Sequence, residues 1–151
     1  MVSIDYMVVA DAAIAAEGKH YIHGGGWDSI TGSSLPLIHP SIAIAFLIRV
    51  PWAETNMPFS LELDVLDADA ASILPTPPGP VGGPMTVGRP PNAIPANPLL
   101  VPMVFTLNGL AFAQPGDYVF VIRVNGEERA RFPIHIVVNL PQSNAATSPP
   151  H

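Results

Sequence analysis

The stretch "DYVFVIRVNGEERARFPIHIVV", residues 117–138, decides the fold class. Apolar and polar side chains alternate on both sides of Asn125-Gly126, a pair typical of a two-residue β-turn because both central residues need positive φ. We therefore predict a β-hairpin, in which Pro133 falls on the outward face and indicates an edge position or a bulge. The inward-facing side chains are predicted to be Tyr118, Phe120, Ile122, Val124, Ala130, Phe132, Ile134, Ile136 and Val138.

The same period of two residues continues towards the N-terminus. Residues 3–10 and 19–30 are predicted to be strands joined by a polar turn at Glu17-Gly18-Lys19. A short helix competes only in the alanine-rich residues 11–17. Residues 41–50 are apolar on both faces, which predicts a strand that is covered on both sides. Residues 59–65 alternate cleanly between inward apolar and outward polar side chains.

The pattern predicts an all-β fold of about seven short antiparallel strands. Two sheets packed face to face, as an immunoglobulin-like β-sandwich, is the simplest arrangement of such strands. Tyr118 follows a Pro-Gly-Asp turn, where sandwich domains often place a tyrosine corner. Residues 1–140 are expected to form one domain, with residues 141–151 as a polar C-terminal tail.

Composition narrows the possible partners. The 151 residues carry a net charge of −6 and are only 12% charged, against about 25% in typical soluble domains. A phosphate backbone is therefore an unfavourable partner, and we expect no nucleic-acid binding. No apolar run is long enough to span a membrane, and Asp5 and Asp11 interrupt any secretory signal. With no cysteine, a cytoplasmic location is expected, or one within a virion or phage-like assembly.

Residues 73–102, here called the proline-rich segment, hold ten of the nineteen prolines. Between Asp69 and Asp117 only Arg89 is charged, so the segment lacks the charge that is common in disordered chains. It is interpreted as an extended arm along a neighbouring subunit, or as a loop folded against its own domain. The predicted interaction residues are Ile73, Leu74, Val81, Met85, Val87, Ile94, Leu99 and Leu100.

The segment His23-Gly24-Gly25-Gly26 resembles the HGGG oxyanion segment of esterases and lipases. That segment functions only with a G-x-S-x-G nucleophile elbow on an α/β sheet, and the sequence contains no such pentapeptide. Ser33 and Ser34 lack the second glycine. We therefore interpret the glycines as a bend in a strand and assign no catalytic residue.

Two groups of side chains raise the possibility of a metal site. The histidines are interpreted as surface residues, because His20 and His23 face opposite sides of a regular strand. The carboxylates are interpreted as a solvated polar face, because they lack the spacing of a calcium loop. No metal and no cofactor are therefore expected. The histidines are His20, His23, His39 and His135, and the carboxylates are Glu62, Asp64, Asp67 and Asp69.

Both ends of the chain resemble a family of small bacterial all-β domains of unknown function. The opening shows Asp5-Tyr6, Gly18-Lys19, Gly26 and Asp28-x-Ile30, and the ending reads "FTLNGLAFAQPGDYVFVIRVNGEERARFPIHI". The similarity covers about residues 3–50 and 103–138. It implies a β-sandwich without a known activity and brings no catalytic residues.

The preferred functional hypothesis is a non-catalytic structural or interaction module that self-associates or joins a larger assembly. It depends on the low surface charge, the two-sided strand and the proline-rich segment. The alternatives are a small-ligand or carbohydrate-binding module using Trp27 and Trp52, and, least favoured, a small esterase.

Overall fold

The structure is a computed structural model that describes residues 1–75 and 79–139, so the predicted tail at 141–151 lies outside the described residues. All regular elements except one short 3₁₀ turn at Trp52–Glu54 are strands. The described residues form nine strands, not about seven, and three of them are 14 residues long. The strands are β1 (Ser3–Ala16), β2 (Lys19–Gly25), β3 (Ser29–Gly32), β4 (Leu37–Val50), β5 (Phe59–Leu66), β6 (Val81–Met85), β7 (Leu99–Phe112), β8 (Gly116–Val124) and β9 (Glu127–Val138).

The strands form two sheets around one hydrophobic core. One sheet has the order β2-β1-β4-β7 and the other has the order β3-β9-β8-β5-β6. Neighbouring strands are antiparallel, except that β3 runs parallel to β9. The largest fully buried side chains come from both sheets and include Phe46, Phe112 and Phe120. An all-β fold with two sheets is therefore confirmed.

The β8–β9 hairpin has the predicted register. Phe120 pairs with Phe132 across the two strands, and Asn125 and Gly126 both have positive φ in the turn. Pro133 lies where β9 has no neighbour on its outer side, because β3 begins to pair only at His135. A proline fits there because it has no N–H to leave unbonded. The prediction of an edge position is confirmed.

The predicted tyrosine corner is present at Tyr118. Its hydroxyl donates a 2.7 Å hydrogen bond to the backbone carbonyl of Gln114. The ring packs edge to face on Phe112, with the ring centroids 4.9 Å apart. The Tyr118 side chain therefore links the turn before β8, which its hydroxyl binds, to the core, on which its ring packs.

Residues 19–30 do not form one strand, and this prediction is wrong. β2 ends at Gly25 and β3 begins at Ser29 in the other sheet, so the glycines carry the chain from one sheet to the other. Gly24 and Gly26 have φ values of +62° and +90°, which side chains with a Cβ adopt only at a cost. The glycine run is a crossover between layers and not a bend within a strand.

The alanine-rich residues 11–16 are extended as the second part of β1, and Glu17 begins the turn with a φ of +55°. Their second half pairs with β2 through a tight turn at Glu17-Gly18, which confirms the predicted turn. Pairing with β2 satisfies the backbone groups, so alanine's helix preference does not decide the local structure.

The β1–β2 hairpin folds back across the outer face of its own sheet. His20 of β2 pairs with Ala15 of β1, and Ala15 lies nine residues after Tyr6. If β1 were straight, these nine residues would hold His20 about 30 Å from Tyr6. Yet the His20 ring bonds to the Tyr6 hydroxyl at 2.7 Å and to the Met103 carbonyl of β7 at 2.9 Å. This cover accounts for the full burial of Ala43 and Ala45, and the prediction that residues 41–50 are covered on both sides is confirmed.

Candidate functional site

The candidate functional site is the free edge of β7. β7 pairs with β4 from Leu99 to Phe112 and is the last strand of its sheet. The other three terminal strands in the described part of the chain have four to seven residues, whereas β7 has 14 and carries no charge. Natural sheets usually protect such edges with short strands or charged side chains. An unprotected edge of this length indicates a surface for pairing.

Pro102 shows which way the backbone of β7 faces. Pairing with β4 is continuous through Leu47↔Pro102, although Pro102 has no N–H to donate. Its backbone must therefore face away from β4, as prolines in edge strands do. Alternate residues face the same way, which directs the N–H and C=O groups of Val104, Thr106 and Asn108 outward. Among the described residues, β7 makes no backbone-to-backbone hydrogen bond outside the strand ladders, and the only β7 group that the His20 ring bonds is the carbonyl of Met103, which faces β4 in this alternation.

Gly109 ends the open edge of β7 on its C-terminal side. Its φ is +67°, and it lies opposite Pro40, between the pairs His39↔Leu110 and Ser41↔Asn108. A glycine in this conformation bends an edge strand and interrupts regular pairing. The regular open backbone therefore runs over residues 102–108, here called the β7 edge.

The side chains of the β7 edge are incompletely covered. Phe105 stacks on the fully buried Phe46, with ring centroids 5.6 Å apart, but is itself only half-buried. Apolar area left in contact with water favours association that covers it. The partly buried β7 side chains packed on the core are Leu99, Val101, Met103, Phe105 and Leu107.

The structure places most of the predicted interaction residues of the proline-rich segment against the domain's own core. Leu74 and Val87 are buried in the core, and β6 lies within the segment and pairs with β5. Of the eight predicted residues, only Ile94 and Leu100 are exposed, at 65% and 50%. Six of the eight predicted interaction residues therefore face inward, and the alternative of a loop folded on its own domain describes them. These six are Ile73, Leu74, Val81, Met85, Val87 and Leu99.

Arg89 attaches the proline-rich segment to the end of β4. Its guanidinium lies 3.8 Å from the centroid of the Trp52 ring and donates to the Trp52 carbonyl at 2.9 Å. Its Nε donates to the Thr55 hydroxyl at 2.6 Å. The lone charged residue of the segment is therefore a structural clamp, which stacks on Trp52 and donates hydrogen bonds to the turn from Trp52 to Thr55.

Arg89→Ala is expected to loosen the segment without unfolding the domain. We expect a loss of about 1 kcal/mol from the stacked and hydrogen-bonded guanidinium. Hydrogen exchange of residues 86–98 should become faster, while β8 and β9 stay protected. Arg89→Lys is the matched control, since it keeps the charge but loses the planar fork and should behave nearly like alanine. Unchanged exchange in both variants would contradict the clamp.

The two tryptophans do not form one ligand site. The Trp27 ring lies 5.9 Å from the His39 ring near the start of β4, whereas Trp52 follows its end. Eleven residues of strand between His39 and Val50 span about 35 Å. The two rings therefore cannot share one ligand site, and Arg89 covers the Trp52 ring.

Trp27 lines an open pocket of about 260 Å³ beside the glycine crossover. Its indole Nε1 is buried and has no hydrogen-bond partner among the described residues. The pocket is lined by Asp11, Trp27, Ser29, Ile30, Thr31 and His39. A ligand contact at Trp27 alone stays a prediction.

The histidines are dispersed. His20 connects Tyr6 to β7, His39 lies by Trp27, and His135 bonds to Asp117 at 2.6 Å on the surface. His23, of the HGGG-like segment, is exposed on β2. Over residues 1–75 and 79–139, no group of three metal-binding side chains comes together.

The acidic residues do not share one solvated face, which corrects that interpretation for Asp64. Asp64 is buried and accepts hydrogen bonds from Ser72 at 2.6 Å and Arg123 at 3.1 Å. The chain after β5 folds back over it, since Leu66 pairs with Ser72. Asp67 instead organises the turn by accepting the backbone N–H groups of Asp69 and Ala71.

The free edge of β7 was not predicted from the sequence. The one available signal was the absence of charge between Arg89 and Asp117, which we assigned to the proline-rich segment rather than to the strand after it.

In the described residues, no helix is long and apolar enough to cross a membrane.

These observations define a class of protein, a two-sheet, all-β domain with one long free edge. The chain matches, over residues 5–137, a family described as "Family of unknown function (DUF6941)", and it belongs to that family. This confirms the resemblance to small domains of unknown function. The search of curated proteins found no match.

Among solved structures, the chain is similar to Pseudomonas fluorescens alkylpurine DNA glycosylase AlkC bound to DNA containing an abasic site analog. The TM-score is 0.42 and the sequence identity is 9%. The match covers 91% of this chain but only 30% of that one. No functional inference is drawn from this likeness.

The motif Asp5-Tyr6, on which the family resemblance was based, has a structural role. Asp5 lies at a bulge in β1 and accepts hydrogen bonds from two nitrogens of Arg49 in β4, the shorter at 2.7 Å. Hydrogen bonding to this guanidinium holds the pKa of Asp5 below its ordinary value. Tyr6 bonds His20, whose Nε2 donates to Met103, so the motif joins β1 to β4 and to the folded-back hairpin.

Proposed function

We propose that this domain is a non-catalytic, immunoglobulin-like β-sandwich that binds an extended segment of another protein chain by strand addition at the β7 edge. The observation that carries the proposal is the uncharged β7 strand, whose outward backbone groups have no neighbouring strand in the described residues and whose apolar side chains are only partly covered by the core. Strand addition supplies hydrogen-bond partners for the backbone and cover for the apolar side chains at once. In this mode of binding, main-chain hydrogen bonds give affinity and alternate side chains give specificity.

Strand order supports the immunoglobulin-like assignment. In immunoglobulin constant domains one sheet contains strands A, B, E and D, and the other contains C, F and G. Here β1, β4 and β7 occupy the places of A, B and E, while β5, β8 and β9 occupy those of C, F and G. The place of strand D, beside β7, has no counterpart among the described residues. A strand added at the β7 edge would take this place.

Charge favours a protein partner over a nucleic acid. The chain has a net charge of −6, and β7 has no lysine or arginine to neutralise a phosphate. An extended peptide needs no such charge, because its backbone pairs with the outward groups of Val104, Thr106 and Asn108. Its apolar side chains, at alternate positions, would cover Phe105 and its neighbours on the core side.

A soluble peptide of alternating valine and threonine, flanked by lysines, tests the proposal. Titrated into the ¹⁵N-labelled domain at a concentration low enough to keep it monomeric, it should shift the amide resonances of Val104, Thr106 and Asn108 and slow their hydrogen exchange at least tenfold, with micromolar to millimolar affinity. A control peptide with proline at alternate positions has the same charge but cannot pair, and should leave these resonances unchanged. Equal responses to both peptides, or to neither, would refute strand addition.

A further inference from the structure

We infer that the segment taken up by the β7 edge is the β7 edge of a second copy of this chain, paired antiparallel about a two-fold axis at Phe105. The inference rests on the proposed function, since it names the partner of the same surface. The resulting dimer would join the two four-stranded sheets into one continuous sheet. In such an interface the same patch serves both subunits, so the contact closes at two copies.

The backbone geometry of the β7 edge is self-complementary. With Phe105 on the axis, Val104 of one copy lies opposite Thr106 of the other, and the outward N–H and C=O groups of both residues pair. Pro102 lies opposite Asn108 of the second copy, and there the Asn108 N–H meets the Pro102 carbonyl. The register forms about six backbone hydrogen bonds, and no N–H is required from Pro102.

Side chains on the core side match under the same axis. Phe105 meets its own copy, and Met103 lies opposite Leu107 of the second copy, so each half-buried side chain gains an apolar neighbour. The residues that interrupt pairing, Pro102 and Gly109, fall at the two ends of the paired window. Further growth of the ladder is therefore blocked beyond the dimer contact.

Charge favours a second copy as the occupant. Two copies with a net charge of −6 repel each other, so they associate best where neither surface is charged. β7 is such a surface from Leu99 to Phe112. Arg49, which pairs with Leu100 across the ladder, is already neutralised by Asp5 at 2.7 Å.

Sedimentation velocity at rising concentration tests the inference by measuring the oligomeric state of the wild-type chain and of the Thr106→Pro variant. The wild-type chain should be a dimer at high concentration, with the amides of Val104, Thr106 and Asn108 protected only in the dimer. Thr106→Pro removes an N–H that faces away from β4, so it should keep the circular dichroism spectrum and weaken the dimer at least tenfold. Thr106→Val keeps the N–H and is the matched control that should still dimerise.

Each remaining outcome decides the inference. If Thr106→Pro fails to fold, Thr106→Lys replaces it, because the two lysines would then be diagonal neighbours on either side of the two-fold axis, and a persisting dimer would overturn the inference. A folded Thr106→Pro variant that still dimerises locates the contact elsewhere and overturns it as well. A monomeric wild type that binds the valine–threonine peptide overturns the second copy alone, whereas one that binds nothing overturns the proposed function too.

Discussion

Asp64→Ala is expected to lower the free energy of unfolding by about 3 kcal/mol, because it leaves the Arg123 guanidinium part-buried without its carboxylate. The side chains of Asp64 and Arg123 are only 5% and 24% exposed, so water cannot replace the lost 3.1 Å ion pair fully. Ser72 loses its acceptor in the same variant, and the chain from Asp67 to Ser72 that covers the site should become mobile. Urea unfolding followed by circular dichroism measures the loss.

A double-mutant cycle separates the ion pair from simple truncation. Arg123→Met added to Asp64→Ala removes the unpaired charge and should recover part of the stability, since an apolar side chain replaces the stranded guanidinium. Asp117→Ala is the matched control, because its carboxylate is 77% exposed and pairs only with His135 on the surface. A loss with Asp64→Ala as small as that with Asp117→Ala would contradict the buried pair.

Gly24→Val is expected to cost about 2–3 kcal/mol, because a backbone penalty and a smaller contact penalty coincide at this residue. A φ of +62° costs a β-branched residue about 1–2 kcal/mol relative to glycine. A Cβ at this position would also overlap the carboxylate of Asp11, but this exposed side chain can rotate towards solvent, so the overlap adds less than about 1 kcal/mol. Thermal unfolding of the variant measures the sum.

Gly26→Val is the control that isolates the backbone penalty. Gly26 has a φ of +90°, outside the left-handed region that residues with a Cβ adopt, and nothing lies within 4 Å of the point that a Cβ would occupy, so its substitution measures backbone strain without overlap. Asp11→Ala in the Gly24→Val background should restore the contribution from overlap. If both glycine variants lose the same stability and Asp11→Ala restores none, the close approach of Asp11 has no energetic role.

The HGGG-like segment shows how far local sequence reasoning reaches. The missing nucleophile elbow was enough to argue against an oxyanion function, and positive φ at Gly24 and Gly26 agrees with a backbone role. The nature of that role was wrong, because a bend within a strand and a crossover between sheets use the same residues. Only the position of Ser29 beside His135 in the other sheet distinguishes them.

The burial of Asp64 and the free β7 edge were both missed in the sequence, and for the same reason. Alternation correctly assigned Asp64 to the face opposite Leu63, but the cover over that face comes from residues that follow the strand and fold back. Likewise, the apolar side chains at 99–107 do not reveal that these residues form a strand with one side that lacks a neighbour. Burial of a sheet face and exposure of a sheet edge both depend on contacts between distant parts of the chain.

By itself the sequence determined the all-β class, the β8–β9 hairpin with its Asn125-Gly126 turn, and the corner at Tyr118. Each follows from interactions within a few residues, where side-chain alternation and the φ preferences of turn residues are sufficient. The tertiary structure alone decided the order of strands in the sheets, the fold-back of the β1–β2 hairpin and the free side of β7. A period of two residues records which face a side chain takes, but strand order is chosen by pairing between segments far apart in the chain, which no local pattern encodes.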